Sequence, residues 1–488
     1  MSRPALLSAP LILLHAAALA VPAFAQDPGG RPPGGPGGMN QTIAVLERFD
    51  TDKNKRLDAD ERKAARAWLE DNRPQRGRRG PGMGGPFGGP PDEAGRADDG
   101  RKGAAVGPTD VPTYADRPLF DPDVVRTFFF EFAQPDWFAE LSDFYRTDVE
   151  VPAKVTVDGT TLHDVGVRFR GNTSYMMAPG HKKSLDLDFA FVDAHQDLAG
   201  VHNLDLLNCN SDPSFLREAL HGHIANQYFP AQRVCLARVV INGEDHGLYA
   251  AVQQFDKEFL QDHFATGKGD RFKVPPDFSG SGGLAWLGDD VTAYKHSYQL
   301  KSTESDAAWQ GLVDLCEVLE RTPTADLERI LPQHLDVDTA LWFLAVDNAL
   351  GDDDGYSSRA SDYLLYRDPT GRFHPIPRDN NEILPDGRGP GGGPGRGGPG
   401  GFRGGDRRGA PGAGAPDAGG PPDGGPGFGP PGGGPGFGPP GGGRRGGPGS
   451  AATSPLQMAS RTDRPLLHRL LEVPAWRQRY LANLHELA

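Results

Sequence analysis

The chain has 488 residues, and its 67 glycines and 46 prolines are concentrated in patches, so a core must come from the remainder. A formal charge of -14 argues against nucleic acid as the main partner, because phosphate backbones are met by basic surfaces. The same charge suits a protein that handles cations or draws in a basic substrate.

The opening residues carry Arg3, an apolar stretch and Ala23-Phe24-Ala25, the layout of a secretory signal peptide over 1–25. Export is therefore expected, with the mature chain starting near Gln26 in the periplasm, at the cell surface or outside the cell. No later stretch has the apolar length of a membrane span. Residues 26–39 read as a Gly/Pro tether and 73–111 as a Gly/Pro/Arg linker. Residues 112–385 have globular composition with mixed strands and helices. The Gly/Pro/Arg run over 386–450 has too little apolar content to fold and interrupts the domain. Residues 451–488 resume it as two amphipathic helices split at Pro474. Cys209, Cys235 and Cys316 lack CxxC spacing and sit in apolar contexts, which predicts buried free thiols.

Between tether and linker, residues 40–72 read as helix-loop-helix. "DTDKNKRLDADE", 50–61, places oxygen donors at loop positions 1, 3, 5, 9 and 12: Asp50, Asp52, Asn54, Asp58 and Glu61. Arg56 adds its carbonyl at position 7, which completes the oxygen-rich EF-hand pattern for Ca²⁺. Position 6 is Lys55 where such loops carry glycine, so backbone strain and a nearby positive charge should weaken the site. A charged helix-turn-helix without an ion is the alternative.

Four stretches of the main domain stand out. In 165–189 a strand leads to Arg170-Gly171-Asn172-Thr173-Ser174, and Lys182-Lys183 open a second strand with Leu185, Leu187 and Phe189 on one face. Small residues at such a tip let backbone N–H groups approach a phosphate, and a lysine on the next strand can pair with it. Asp212 or Ser211 should cap a helix whose apolar stripe is Phe215, Leu216, Leu220 and Ile224, leaving Glu218 either to hold a strand lysine or to pair with Arg217 in solvent. Residues 234–260 read as a hairpin turning at Asn242-Gly243, followed by a helix. Finally, 345–383 is dense in carboxylates: a hairpin turning at Asp368–Gly371 would bring Asp362, at its start, beside Asp379, at its end. Two carboxylates so close repel unless a cation lies between them. Asp353 and Asp354 lie just upstream.

These pieces, in this order, resemble the spore coat protein H (CotH) kinase family: RGNTS with KKS, DPSFLREAL, INGEDHGLYAAVQQFDKEFL, DGY with DYLLYRDPTGRF, PRDNNE, and the closing RPLLHRLLEVPAWRQRYL. The resemblance implies an α+β chain with an atypical, minimal protein-kinase-like fold over 112–385 and 451–488. It implies transfer of the ATP γ-phosphoryl group to Ser or Thr of a basic protein substrate, with Mg²⁺ or Mn²⁺. It gives Lys182 or Lys183 the α/β-phosphates with Glu218 steadying the lysine, and Asp354 the catalytic role at the substrate hydroxyl. It also puts metal ligands at Asp362 and Asp379, with help from Asn381, a phosphate-loop lining at Arg170 and Asn172, and a nucleotide or metal contact at Gln253. The last motif reads Pro377-Arg378-Asp379-Asn380-Asn381 where the family usually has Pro-Trp-Asp-x-Asp, and Asp362 stands in place of Asn. The alternative is a non-catalytic, calcium-binding surface scaffold.

Overall fold

In β2 (Val151–Val157) every second side chain, from Val151 to Val157, points inward and is buried, the period of a half-buried strand. The computed structural model to which this strand belongs describes residues 42–72, 103–178, 180–210, 212–276, 280–385 and 456–488. The signal segment, the tether, most of the 73–111 linker and the 386–450 run lie outside the described residues.

β2 is one of seven strands in a closed barrel, with β1 (Val125–Glu131), β3 (Thr160–Phe169), β4 (Leu185–Asp188), β5 (Asn203–Leu207), β6 (Val234–Ile241) and β7 (Glu244–Gln253). Their order is β1-β2-β3-β4-β5-β7-β6, and a parallel β1–β6 pairing closes the ring while the other neighbours are antiparallel. Alternating apolar residues such as Val165, Val167, Leu185, Leu187, Leu204 and Leu206 fill its interior. The β6–β7 turn is the expected Asn242-Gly243, both at positive φ (51° and 83°). Outward-facing Asp186 and Asp205 are cross-strand partners, a like-charge pairing that Arg168 and Gln254 compensate, and this outer face becomes one wall of the site.

The second sheet orders as β11-β10-β8-β9, from β8 (Asp270–Val274), β9 (Gln299–Leu300), β10 (Tyr363–Arg367) and β11 (Phe373–Pro377). The β10–β11 hairpin pairs Tyr363 with Pro377, so Asp362 and Arg378 face each other one step beyond it. Helices Asp306–Arg321, Val337–Leu350, Pro465–Glu472 and Pro474–Leu487 share a core with this sheet. The second, Val337–Leu350, is apolar enough to be buried nearly all round, is capped by Asp336 accepting from Thr339 N, and stops at Gly351 with φ 63°. Leu466, Leu467, Leu470, Leu471 and Tyr480 lie in the same core as Leu341 and Leu344, so 386–450 is an insertion within one domain. Cys209, Cys235 and Cys316 are buried and free.

One local expectation changes. The helix after Asp212 starts later, as Arg217–Ala225, because Phe215 takes φ 62° and Asp212 first builds a turn by accepting from Ser214 N and Arg217 N. Its buried residues are then Glu218, His221, Gly222 and Ala225, while Leu216 and Leu220 are exposed. The N-terminal helices Leu46–Phe49 and Ala59–Asn72 dock on the barrel. Val45, Leu57, Ala65 and Leu69 join the barrel core, and buried Arg62 pairs with Glu140 at 2.9 Å.

Candidate functional site

The N-terminal loop closes on itself through its own oxygens. Carboxylate oxygens of Asp50, Asp52 and Glu61 lie within 4.8 Å of one another. Asp50 accepts from Asn54 N at 3.1 Å and Lys55 N at 2.7 Å, and Asn54 Oδ1 accepts from Arg56 N at 2.8 Å. Asp58 accepts from the Glu61 amide at 2.9 Å, and Glu61 in turn accepts from Thr51 N and Asp58 N. Lys55 takes φ 65°, the left-handed conformation for which glycine is usual, and Leu57 is buried. Arg56 donates its guanidinium to Phe191 O at 3.0 Å, which pins the loop to the barrel.

A second acidic constellation forms where the outer face of β3–β5 meets the mouth of the β10–β11 hairpin. From the barrel come Arg170, Asp186 and Asp205, with Arg170 ion-paired to Asp205 and also facing Asp379 and Glu218. From the sheet come Lys273, Asp362, Arg378 and Asp379, the last at φ 60°. The helix Arg217–Ala225 contributes Glu218 and His221, and Asn380 donates to Glu218 at 3.4 Å. Behind them Asp347 and Asp352 line a small cavity with His221, Asp362, Asn380 and Tyr356. Gly355 allows this crowding, since a Cβ there would lie 2.0 Å from Asp347 Oδ1.

The electrostatics are those of crowded acids and bases held out of water. Burial, then the neighbouring Asp379, pushes Glu218 up to about 8 and Asp362 up to about 7. Burial raises Asp205 and Asp347 too, and burial together with Asp347 holds Asp352 well above the carboxylate range. Lys273 is drawn down to about 7, first by the Arg378 charge and then by burial. Burial alone lowers His221 to about 3. Glu218 Oε2, His221 Nδ1 and Asp362 Oδ1 are all buried without a hydrogen-bond partner. Buried carboxylate oxygens without a hydrogen bond call for a proton or a cation.

Not every expected residue comes to this centre. Lys182 does not pair with Glu218: its Nζ lies 4.3 Å from the Phe215 ring centroid and 5.2 Å from that of Tyr249, and burial lowers its pKa. The Phe215 ring, carried on the turn before the delayed helix start, is what the lysine meets instead. Cys209, pushed up to about 12 by burial, has both Glu218 and Lys182 among its charged neighbours. Lys183 donates to Tyr175 O at 2.9 Å and Ala178 O at 2.7 Å, so it fastens the 171–178 loop. Asn172 accepts from Arg146 at 2.6 Å. Gln253 bonds Asp262 at 3.0 Å at the end of β7. Asp354 is ion-paired with Arg359. Of the two amides it is Asn380, not Asn381, that is buried and reaches Glu218. Lys273, Asp205 and His221 are not singled out by the sequence, and Arg378 stands there only as a departure from the family motif. Their signals were weak, although an arginine between two expected metal ligands was visible.

A closed barrel packed against a helix-covered sheet, with a buried acidic cleft between them, defines this as an α+β protein. The family described as CotH kinase protein matches residues 167–488, more than half of the chain, and the protein belongs to that family. No curated protein matches the chain. Among the described residues no helix is long and apolar enough to cross a membrane.

Proposed function

We propose that the protein is an exported, metal-dependent phosphotransferase that moves the ATP γ-phosphoryl group to Ser or Thr of a protein substrate, on a minimal kinase-like fold. The observation that carries this reading is the pair of buried carboxylate oxygens without a hydrogen bond, Glu218 Oε2 and Asp362 Oδ1, in the cleft shared with Asp379. Asp362 and Asp379 are the residues that would hold Mg²⁺ or Mn²⁺, whose chemistry there is to neutralise phosphate charge. Arg170 and Lys273, close to Asp379, bring positive charge to the phosphates, the part the family resemblance gives to Lys182. Glu218 acts through Asn380, steadying the end of the hairpin that presents Asp379. The family resemblance gives Asp354 the proton of the attacking hydroxyl, a role that requires its ion pair with Arg359 to open.

The acidic N-terminal loop supports a calcium site made of Asp50, Asp52, Asn54, Arg56, Asp58 and Glu61. The signal segment supports export. A second reading, a non-catalytic calcium-binding scaffold, is favoured by one observation: Arg378 lies between Asp362 and Asp379. Nucleotide binding separates the two readings. Calorimetry with Mg²⁺ and a non-hydrolysable ATP analogue should give saturable binding that Arg170→Met weakens; no heat with either protein would leave the scaffold reading.

A further inference from the structure

Arg378 follows β11 directly, so its side chain is delivered into the same cleft as its neighbour Asp379. Its Nη1 lies 3.6 Å from Asp362 Oδ1 and 3.7 Å from Asp379 Oδ2. Asp362 is almost fully buried, with a side chain 4% exposed, and the facing atoms, Asp362 Oδ1 and Arg378 Nη1, both lack a hydrogen bond. A fastened guanidinium–carboxylate pair closes to about 2.7–2.9 Å, often through two bonds. Arg378 is therefore placed as a charge without being locked as a ligand. It sits where an ion bridging these two carboxylates would have to sit.

We propose that Arg378 is the resident cation of the Asp362–Asp379 pair, and that a divalent ion enters this pair only by displacing the guanidinium. The proposal rests on the phosphotransferase reading for its purpose, but not for its test. Arginine suits the exchange, since its charge persists at any working pH and the freed group is a ready phosphate ligand. Calcium, magnesium and manganese would all meet the same barrier, so the basal chain should hold metal at this pair weakly.

Mn²⁺ binding, followed by electron paramagnetic resonance without nucleotide, reads this directly. All chains carry Glu61→Gln to weaken the N-terminal loop. Arg378→Met keeps the side-chain length and removes the charge, and it should raise Mn²⁺ affinity by about tenfold or more. Arg378→Gln, a second neutral variant, should do the same if the first folds poorly. Adding Asp362→Asn to Arg378→Met should cancel the gain. Lys301→Met, which removes another positive charge in the same neighbourhood, should change affinity by less than about threefold. Equal affinity with and without Arg378, or no binding in either, overturns the proposal. An equal gain from Lys301→Met also overturns it, because the effect would then be a general field. Since no phosphate transfer is measured, a chain with no kinase activity still answers the question.

Discussion

Asn380 donates its side-chain amide to the buried carboxylate of Glu218 at 3.4 Å, tying the end of the β10–β11 hairpin to the helix Arg217–Ala225. The other oxygen of Glu218 has no hydrogen-bond partner, so the helix holds an acid where ionisation is costly.

That cost has a sign. Glu218 is raised from 4.5 to about 8, so between these values the folded chain holds a proton that the unfolded chain has released. Its contribution is complete below pH 4.5 and is lost as pH rises through about 8, with a slope of about 1.4 kcal/mol per pH unit for one proton. His221, lowered from 6.5 to about 3, works oppositely: its contribution is intact above 6.5 and lost on acidification. In EDTA between pH 6.5 and 8, His221 is silent. Lys273, drawn down to about 7, opposes this above pH 7, so the difference between chains is the readout: the native chain should lose more melting temperature with rising pH than Glu218→Gln, and parallel curves would exclude the role of Glu218.

Gly355 predicts a steric effect. Its missing Cβ is the space taken by Asp347 Oδ1 and Asp352. Gly355→Ala should push these carboxylates apart, destabilise the fold by about 1–3 kcal/mol and impair metal binding in the cleft. Urea titration and Mn²⁺ binding check the two effects together. An unchanged midpoint would mean the site relaxes freely.

In the N-terminal loop, Lys55 holds a left-handed φ of 65° beside three clustered acids. Lys55→Gly should relieve strain of about 1 kcal/mol and remove a repelling charge, tightening Ca²⁺ binding several-fold by calorimetry. Glu61→Gln should weaken it. If neither substitution alters calcium heats, the loop is a helix-turn-helix without an ion.

Arg62 and Glu140 are buried together at 2.9 Å, and Arg62 also donates to Leu57 O at 2.9 Å. Arg62→Ala strands a buried carboxylate and should cost about 3–5 kcal/mol, seen as a lower denaturant midpoint. A loss below about 1 kcal/mol would show that the N-terminal segment is only loosely seated.

The elements legible in the sequence are those with local signals: the two strands within 165–189, the Asn242-Gly243 turn, the Asp368–Gly371 turn and the Pro474 break. The juxtaposition of Asp362 with Asp379 followed from hairpin register alone. Glu218 was picked out, but its partner was not, because the Asp212 turn and the left-handed Phe215 shift the helix start and turn its apolar stripe outward. The barrel closure, the docking of the N-terminal helices and the arrival of Lys273 and Asp205 depend on pairings between distant segments, which no local pattern encodes.

The central claim is phosphate transfer at the end of the hairpin. Purified protein, γ-labelled ATP, Mg²⁺ or Mn²⁺ and a serine-rich basic acceptor should give label on protein, and Asp379→Ala should reduce it by about a hundredfold or more. Equal label in both proteins would contradict the site assigned here, and no label in either would contradict the activity.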